Sequence, residues 1–214
     1  SCPPLYVLFN GVAEDRLERL LKVKPNLEGT RIVFIANGPE GWRMHYKGLD
    51  LFMATLTQVK KRLPQVEGVV VGEWTEREKT RLKQLYPEAS VQFVGAIKNI
   101  EQVLEKGALY FHPARGEAWG VAIQEAMAAG LPAIVSEWTG ASEVVEQIWS
   151  QGIVPLDPQQ AAQQILEYFS LSPREKQIIS EKGRTLIASS YTRKKALEHF
   201  QKLFYQAFRE AKRK

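Results

Sequence analysis

Two glutamates, eight positions apart, are the residues of this chain whose type and spacing most clearly suggest chemistry. The stretch RGEAWGVAIQEAMAAG, residues 115–130, has Glu117 where a loop ends and Glu125 inside a predicted helix that begins near Gly120. Five residues of helix rise by about 7 to 8 Å, so one extended ligand can reach both carboxylates. Carboxylates accept paired hydrogen bonds from vicinal hydroxyl groups, which sugars and ribose both supply.

The start of the same helix offers a site for an anion. The first amide groups of a helix lack partners within the helix, and the helix dipole adds positive potential there. Gly120 has no Cβ, which lets a ligand come close to the backbone. Amides for a phosphate and carboxylates for hydroxyls together suit a sugar attached to a nucleotide.

A purely structural role for the two glutamates is an open alternative. A glutamate just before a helix stabilises the helix dipole by about 0.3 to 1 kcal/mol, and a glutamate in mid-helix usually faces water. Against this, the helix carries no charge besides Glu125, whereas a solvent-facing helix normally carries several. Spacing alone does not decide between a ligand site and a capped, solvated helix.

A basic cluster, WRMHYKG at 42–48, follows the first predicted strand. We expect Arg43 and Lys47 to lie in a loop, where a guanidinium and an ammonium can together neutralise a pyrophosphate. The alternative is that they serve solubility, as charged loop residues often do. His45 lies between them, and His112 ends the fourth predicted strand. His112 could donate to a substrate hydroxyl or be a structural hydrogen-bonding residue.

Six short apolar runs predict the strands that position these residues, and stretches with helical spacing separate them. The predicted strands are 31–37, 68–73, 91–95, 108–113, 132–137 and 152–156; the predicted helices are 49–63, 76–86, 119–129, 142–149, 158–170, 173–189 and 192–210. Continuous apolar strands that alternate with helices are typical of a parallel sheet covered on both faces. We therefore predict an α/β fold with a doubly wound, six-stranded, Rossmann-like parallel sheet followed by C-terminal helices.

Ligands bind such sheets outside the carboxyl ends of the strands. The loops that leave those ends are predicted at 37–48, 73–76, 95–99, 113–119 and 137–142. The glutamates and the basic cluster fall in or beside these loops.

Composition limits the class of protein. Apolar residues make up 44% and charged residues 25% of the 214 residues, which excludes a disordered chain and fits one compact domain. The longest apolar runs, such as 32–36, are far below the about 20 residues that span a bilayer. With no secretory signal at the start and a single cysteine, Cys2, we expect a cytoplasmic protein.

The net charge of +5 is concentrated at the C-terminus. Residues 192–214 have eight Lys or Arg and two Glu, so the rest of the chain is nearly neutral. A basic excess confined to the tail argues against a nucleic-acid groove across the domain.

The order of motifs resembles the retaining glycosyltransferases of family four, which have the GT-B architecture. Their carboxyl-terminal domain has a passage P…E-G-F-G-x-x-x-x-E-A-M-A-x-G-x-P-V-I…G-G…E-x-V, and residues 112–146 read HPARGEAWGVAIQEAMAAGLPAIVSEWTGASEVVE. Further matches are KGLDLF at 47–52, VVVGE at 69–73 and VQFVGAIKNIEQVLEKGALYFHP at 91–113. The HPA triplet is closer to enzymes that build the lipopolysaccharide core. No GxGxxG motif, Walker loop or metal-ligand cluster is present, which argues against a nicotinamide or flavin enzyme.

The resemblance implies roles for residues at matching positions. Glu117 is similar to the first glutamate of the E-x7-E motif, which faces the donor sugar, and is the expected catalytic residue; Glu125 is similar to the second, which holds the ribose. The remaining expected substrate contacts are the amides of Ala118, Trp119, Gly120 and Val121 and the charges of Lys47 and Arg43 for the sugar diphosphate, and the loop Ala96–Lys98 with Ile97 for the base. The resemblance implies no cofactor and no metal, because cations and helix amides stabilise the leaving nucleoside diphosphate. The donor substrate would be a nucleoside-diphosphate sugar, with a UDP-sugar favoured.

The family also implies a division of the chain. Its members have a preceding Rossmann-like domain that binds the acceptor, joined by a linker that often reads NGVD, and FNGVAED occurs at 9–15. We expect 1–30 to be an interdomain linker or edge segment, 31–191 the nucleotide-sugar-binding domain, and 192–214 a basic amphipathic helix. That helix either packs against its own protein or lies peripherally on the inner face of a membrane.

The function that the resemblance implies is donor binding in a retaining, metal-independent glycosyltransferase. Such an enzyme transfers a hexose to a glycan or lipid-linked acceptor, which the missing N-terminal domain would bind. Two alternatives stay open: a stand-alone nucleotide-sugar-binding module without catalysis, and a GT-B nucleotide-sugar epimerase.

Overall fold

A six-stranded sheet with every strand parallel forms the centre of the molecule. The computed structural model describes residues 5–38 and 41–212; Cys2, Arg213 and Lys214, which entered the expectations above, lie outside them. The strands are β1 Arg31–Ile35, β2 Glu67–Val71, β3 Val91–Gly95, β4 Leu109–His112, β5 Ala133–Ser136 and β6 Ile153–Val154, in the spatial order β3-β2-β1-β4-β5-β6. All six predicted strands and the predicted fold class are confirmed.

Helices cover both faces of the sheet. They are α1 Glu14–Leu20, α2 Gly41–Lys47, α3 Leu49–Lys60, α4 Glu76–Leu85, α5 Glu101–Glu105, α6 Val121–Ala128, α7 Ser142–Glu146, α8 Pro158–Ser170, α9 Pro173–Ser190 and α10 Arg193–Ala211. The seven predicted helices are present with ends shifted by a few residues. The sequence analysis did not predict α1, α2 or α5.

The central strands are buried on both sides, which explains their continuous apolar sequences. In β1, Val33 faces a core built with α1, α5, α6, α7 and α9. Its neighbours Ile32 and Phe34 face a second core, built with α2, α3, α4 and α8. The spatial order of the strands reverses between β1 and β4, and in sheets of this kind the crevice at that point is the usual ligand site.

The segment that precedes α1 is hydrogen-bonded to the C-terminal helices. The amide of Val12 donates to the Tyr191 carbonyl at 2.9 Å, and the amide of Arg193 donates to the Val12 carbonyl at 2.8 Å. These bonds join the segment before α1 to the junction of α9 and α10. Within the described part of the chain, no helix combines the length and the hydropathy needed to cross a bilayer.

Every residue of α10 is at least partly exposed to solvent. Leu197, Phe200, Phe204 and Phe208 form an exposed apolar stripe along it, while lysines and arginines occupy much of the remaining surface. The predicted basic amphipathic helix is therefore present, and its apolar stripe faces outward.

Candidate functional site

A cleft of about 420 Å³ opens at the carboxyl ends of β1, β2 and β4. It lies at the point where the strand order reverses, so the topology alone places it where ligands of such sheets bind. Most of the predicted site residues border it. Its walls are formed by Arg16, Ile35, Ala36, Asn37, Arg43, Lys47, Val71, Gly72, Ala96, Ile97, Ile100, His112, Glu117, Gly120, Val121, Ala122 and Glu125.

The basic residues of the cleft lie on a helix, which corrects the expectation that they occupy a loop. Arg43 and Lys47 belong to α2, where four residues of separation bring them to the same side. The Gly- and Pro-containing stretch 37–41 suggested a loop, but residues 42–47 contain neither breaker. Met44 is buried in the core between them, so packing stabilises the helix. The helix gives the two cations a defined direction toward the cleft.

Lys47 and Glu117 form an ion pair at the floor of the cleft. The imidazole Nε2 of His112 lies 3.8 Å from the same carboxylate oxygen. His112 and Lys47 stabilise the charged form of Glu117 and hold the pKa of that carboxyl down at about 2, against the opposing effect of burial. Glu117 is therefore an anion at every physiological pH.

His112 is almost completely buried behind Glu117 and stacks on Phe34 at 5.5 Å between ring centres. Burial lowers the pKa of His112, because a charged imidazole would lose its hydration there. Its Nδ1 lies 3.4 Å from the Tyr110 hydroxyl. His112 is thus a neutral neighbour of Glu117. His45, by contrast, does not border the cleft and lies 3.7 Å from Asp50.

Hydrogen bonds and an ion pair hold the loop that carries Glu117 against the two neighbouring segments. The amide of Glu117 donates to the Trp138 carbonyl at 3.2 Å, and its carbonyl accepts from the Gly140 amide at 2.8 Å. Arg115 forms a bidentate pair with Asp50, with both distances 2.8 Å. Since Asp50 lies in the first turn of α3, this pair fixes the loop against the α2–α3 corner that supplies Lys47.

Helix α6 points its first residues into the cleft. Gly120 precedes the helix with φ of 82°, a left-handed conformation that favours glycine. Gly120 and Val121 border the cleft, as expected. Ala118 and Trp119 do not; Ala118 is exposed, and the Trp119 ring packs 5.9 Å from Phe9. The local amides available to an anion are therefore those at the very start of α6.

Glu125 is mostly buried, with 13% of its side chain exposed. Glu125 borders the cleft, whereas the alternative interpretation placed it on a face of α6 exposed to water. Arg16 of α1 pairs with it, with Nε at Oε1 and with Nη2 donating to Oε2 at 3.1 Å. Burial raises the pKa of Glu125, and the Arg16 charge opposes that rise.

The far wall of the cleft consists of the turns after β2 and β3. Val71 ends β2 and Gly72 follows it, while Ala96 and Ile97 follow β3. Ile97 is an exposed apolar side chain at the rim. The structure therefore brings Ile97 to the same cleft as the charged residues. The residues named for this wall, Val71, Gly72, Ala96 and Ile97, carry no charge.

The family assignment follows from the whole matched region. A family model described as "Glycosyl transferases group 1" matches residues 29–170, about two thirds of the chain, including β1 to β6. The chain belongs to this glycosyltransferase family. The region contains Lys47, Glu117 and Glu125, so most of the cleft lies within the part that defines the family.

Two curated relatives match a part of this glycosyltransferase domain. The chain is 29% identical over 109 residues to the gpi3 subunit of phosphatidylinositol N-acetylglucosaminyltransferase from Schizosaccharomyces pombe, covering 48% of this chain and 24% of that protein. It is 29% identical over 109 residues to an uncharacterized glycosyltransferase from Haemophilus influenzae, covering 50% of this chain and 31% of that protein. The chain thus matches less than a third of the length of either relative.

Solved structures share the fold at low sequence identity. WaaG, a glycosyltransferase involved in lipopolysaccharide biosynthesis, aligns over 90% of this chain and 54% of its own, with TM-score 0.74 and 18% identity. HepE from Anabaena, solved with UDP and glucose, aligns over 94% and 56%, with TM-score 0.67 and 20% identity. The fold of this glycosyltransferase domain is the Rossmann-like one of GT-B enzymes.

Arg16 is the charged residue on the cleft walls that the sequence analysis missed. It lies in the segment 1–30, which was expected to be an interdomain linker or edge segment and which contains the helix α1. Leu17 and Leu20 are buried and hold α1 against the core. Their spacing beside acidic residues was the available signal, but a single two-turn helix is too short for a reliable periodicity.

Proposed function

We propose that this chain is the donor-binding domain of a retaining glycosyltransferase of family four. One observation carries the proposal: Glu117, Glu125, the cations of α2 and the start of α6 all border a single cleft at the switch point of the sheet. A nucleoside-diphosphate sugar presents the matching groups in one molecule, since it combines a base, a ribose with two hydroxyls, a diphosphate and a sugar.

Charge and geometry support an orientation for this ligand. The diphosphate lies between the α2 cations and the first amides of α6, where opposite charge and free N–H groups coincide. The ribose hydroxyls bind Glu125, and the base lies along the apolar rim at Ile97. The sugar then extends toward Glu117. This places the two carboxylates at the two hydroxyl-rich parts of the donor.

The proposed chemistry follows from the charge state of Glu117. A carboxyl with a pKa of about 2 has no proton to donate at neutral pH, so it acts as an anion that accepts hydrogen bonds from the sugar and stabilises positive charge at its anomeric carbon. The bond from that carbon to the diphosphate oxygen breaks, and the acceptor oxygen bonds to the carbon from the same face. The acceptor proton passes to the leaving phosphate.

Metal independence is part of the proposal. The charge that develops on the leaving diphosphate is stabilised by Lys47, Arg43 and the start of α6, which together supply the functions that a metal ion supplies elsewhere. We propose a UDP-hexose as donor; support comes from the fold likeness to HepE, which was solved with UDP and glucose.

The acceptor is proposed to be a glycan or lipid-linked molecule held by a further domain of the complete protein. The chain spans 54% of WaaG and 24% of the gpi3 subunit, so these relatives have room for such a domain. The exposed apolar stripe and basic residues of α10 support a peripheral membrane contact on the cytoplasmic side as a second proposal.

Binding tests the donor site directly. Calorimetry with UDP-glucose and GDP-mannose should give binding of one of them to the wild-type chain, and Glu125→Gln should weaken it at least about tenfold by removing charge-assisted hydrogen bonds. Glu146→Gln, at an exposed position of α7, is the matched control and should bind like wild type. Failure of the wild type to bind either donor refutes the donor site.

Product analysis separates the alternative functions. Incubation of the bound donor with glycan and lipid-linked acceptors, followed by NMR of the anomeric proton, should show a product with the anomeric configuration of the donor. Conversion of the donor sugar to its epimer without acceptor would indicate an epimerase. Tight binding by the complete protein without turnover of any donor would indicate a binding module.

A further inference from the structure

We infer that Arg16 is a positioning residue of the nucleotide site: it pairs with the Glu125 carboxylate and orients it, so that the ribose meets a preformed acceptor. The inference rests on the proposed donor site and goes beyond it, because Arg16 lies outside the region 29–170 that the family model matches. It assigns a role in the cleft to a helix that precedes that region.

The geometry of the pair supports this role. Arg16 approaches both oxygens of Glu125, with one nitrogen for each. Only Nη2 donates a hydrogen bond, to Oε2, while Nε makes an ion-pair contact with Oε1. A guanidinium that contacts both oxygens restricts the orientation of a carboxylate and compensates its charge. Each carboxylate oxygen can accept two hydrogen bonds, so one position on each oxygen is left for another donor. Two vicinal hydroxyls of a ribose match those two positions.

Arg16 is itself held in place by well-packed structure. Leu17 and Leu20 anchor α1 in the core, and Val12 is hydrogen-bonded to the junction of α9 and α10. The carboxylate of Glu14 accepts a hydrogen bond of 2.7 Å from the Lys194 amide at the start of α10. Two short connections therefore join the start of α10 to the segment and helix that carry Arg16.

The electrostatic surroundings of Glu125 give Arg16 its importance. Burial favours the neutral carboxyl, and the Glu101 carboxylate of α5 acts in the same direction. Burial, and after it the nearby Glu125 charge, raises the pKa of Tyr110 of β4, so its hydroxyl is neutral at physiological pH. Arg193 of α10 borders the neighbouring groove that Arg16 and Glu125 also line. Of these groups, Arg16 is the cation in direct contact with the carboxylate.

The test measures how affinity for a sugar nucleotide depends on pH. UDP-glucose is the probe, with GDP-mannose as the substitute if the wild type binds that donor instead, because neither has a group that titrates between pH 6 and 8. Wild-type affinity should change by less than about twofold over that range. Arg16→Gln removes the cation that opposes the rise of the Glu125 pKa on burial, so that pKa should rise further and affinity should fall about tenfold from pH 8 to pH 6.

Three further variants make the result specific. Arg16→Lys keeps the positive charge but replaces the two contacting guanidinium nitrogens with a single ammonium nitrogen. It should therefore keep the flat pH profile and bind about threefold to tenfold more weakly at every pH. The double variant Arg16→Gln with Glu125→Gln should lose the pH dependence, because the titrating group is gone. Arg31→Gln, which removes a surface pair with Glu67, is the control for loss of an arginine.

The outcomes distinguish the inference from the function on which it rests. Wild type that binds neither donor refutes both. Wild type that binds, together with Arg16→Gln that keeps the same affinity and a flat profile, refutes the inference alone. A pH dependence that persists in the double variant also refutes it, since another group would then be responsible. If Arg16→Gln does not fold, Arg16→Lys decides: unchanged affinity overturns the positioning role.

Discussion

The ammonium of Lys47 contacts the carboxylate of Glu117 across 70 positions of sequence. The contact exists because α2 runs from the carboxyl end of β1 and the Glu117 loop leaves the adjacent β4. Arg115 and Asp50 bind the same two segments together one turn away. In the proposed function the pair is the resting state of the donor site, and the incoming diphosphate competes for the Lys47 ammonium.

Replacement of Lys47 should weaken donor binding. We expect Lys47→Ala to lower affinity for the bound sugar nucleotide about tenfold to a hundredfold, the effect of losing a hydrogen bond to a charged phosphate in a partly buried site. Calorimetry at two salt concentrations measures it. Lys22→Ala, at an exposed position, is the control and should not change the affinity. Equal affinities for Lys47→Ala and wild type would remove Lys47 from the site.

Acid should remove the stability that Glu117 contributes. Its pKa is about 2 in the folded protein and near the ordinary value of about 4.3 when unfolded, so the contribution is complete above about pH 5 and declines as pH falls toward 2. After allowance for solvent screening of this partly buried group, we expect about 1 to 2 kcal/mol. Urea unfolding of wild type and Glu117→Gln should differ by that amount at pH 7 and converge near pH 2.5. A gap that stays constant with pH would contradict this assignment.

A glycine pair tests the corner between α2 and α3. Gly48 has φ of 76°, and a Cβ there would lie 1.9 Å from the Pro113 carbonyl oxygen. Gly95 has a similar φ of 72° but open space around it, so it isolates the backbone strain. We expect Gly95→Ala to cost about 1 kcal/mol and Gly48→Ala at least about 3 kcal/mol in free energy of unfolding. Similar costs for the two would mean that the close approach to Pro113 has no energetic weight.

Arg184 should be a stability residue without a direct role in the cleft. Its guanidinium donates to the carbonyls of Leu21 and Val23, after α1, and to those of Ala128 and Ala129, at the end of α6. Loss of these charged hydrogen bonds in Arg184→Met should lower the free energy of unfolding by about 2 to 4 kcal/mol.

Thermal unfolding measures this change, with Arg174→Met as the exposed control on the same helix. Donor affinity at a temperature where Arg184→Met is fully folded should stay near that of wild type. A variant as stable as the control would mean that water replaces the arginine at those carbonyls without loss.

Most of the fold was predictable because the signals are local. Strands buried on both faces must be apolar along their length, and α8 and α9 begin at caps that the sequence displays. Asp157 and Ser172 accept hydrogen bonds from the first turns of those helices, and a proline follows each of them. Helix α2 escaped prediction because the sequence that leads into it, 37–41, contains glycine and proline. Its stability comes from the burial of Met44 in a core that no local pattern displays.

The sequence by itself determined the strands of the sheet and their order along the chain. Through the E-x7-E spacing, it also placed two carboxylates close enough together for one ligand to reach both. Only the tertiary structure decided which cations face them: Lys47 beside Glu117 and Arg16 beside Glu125. Both pairings join segments 70 or more positions apart. Spacing along a chain specifies contacts only within one element, whereas contacts between elements depend on how the helices pack on the sheet, and that packing also sets the burial on which the charge of each glutamate depends.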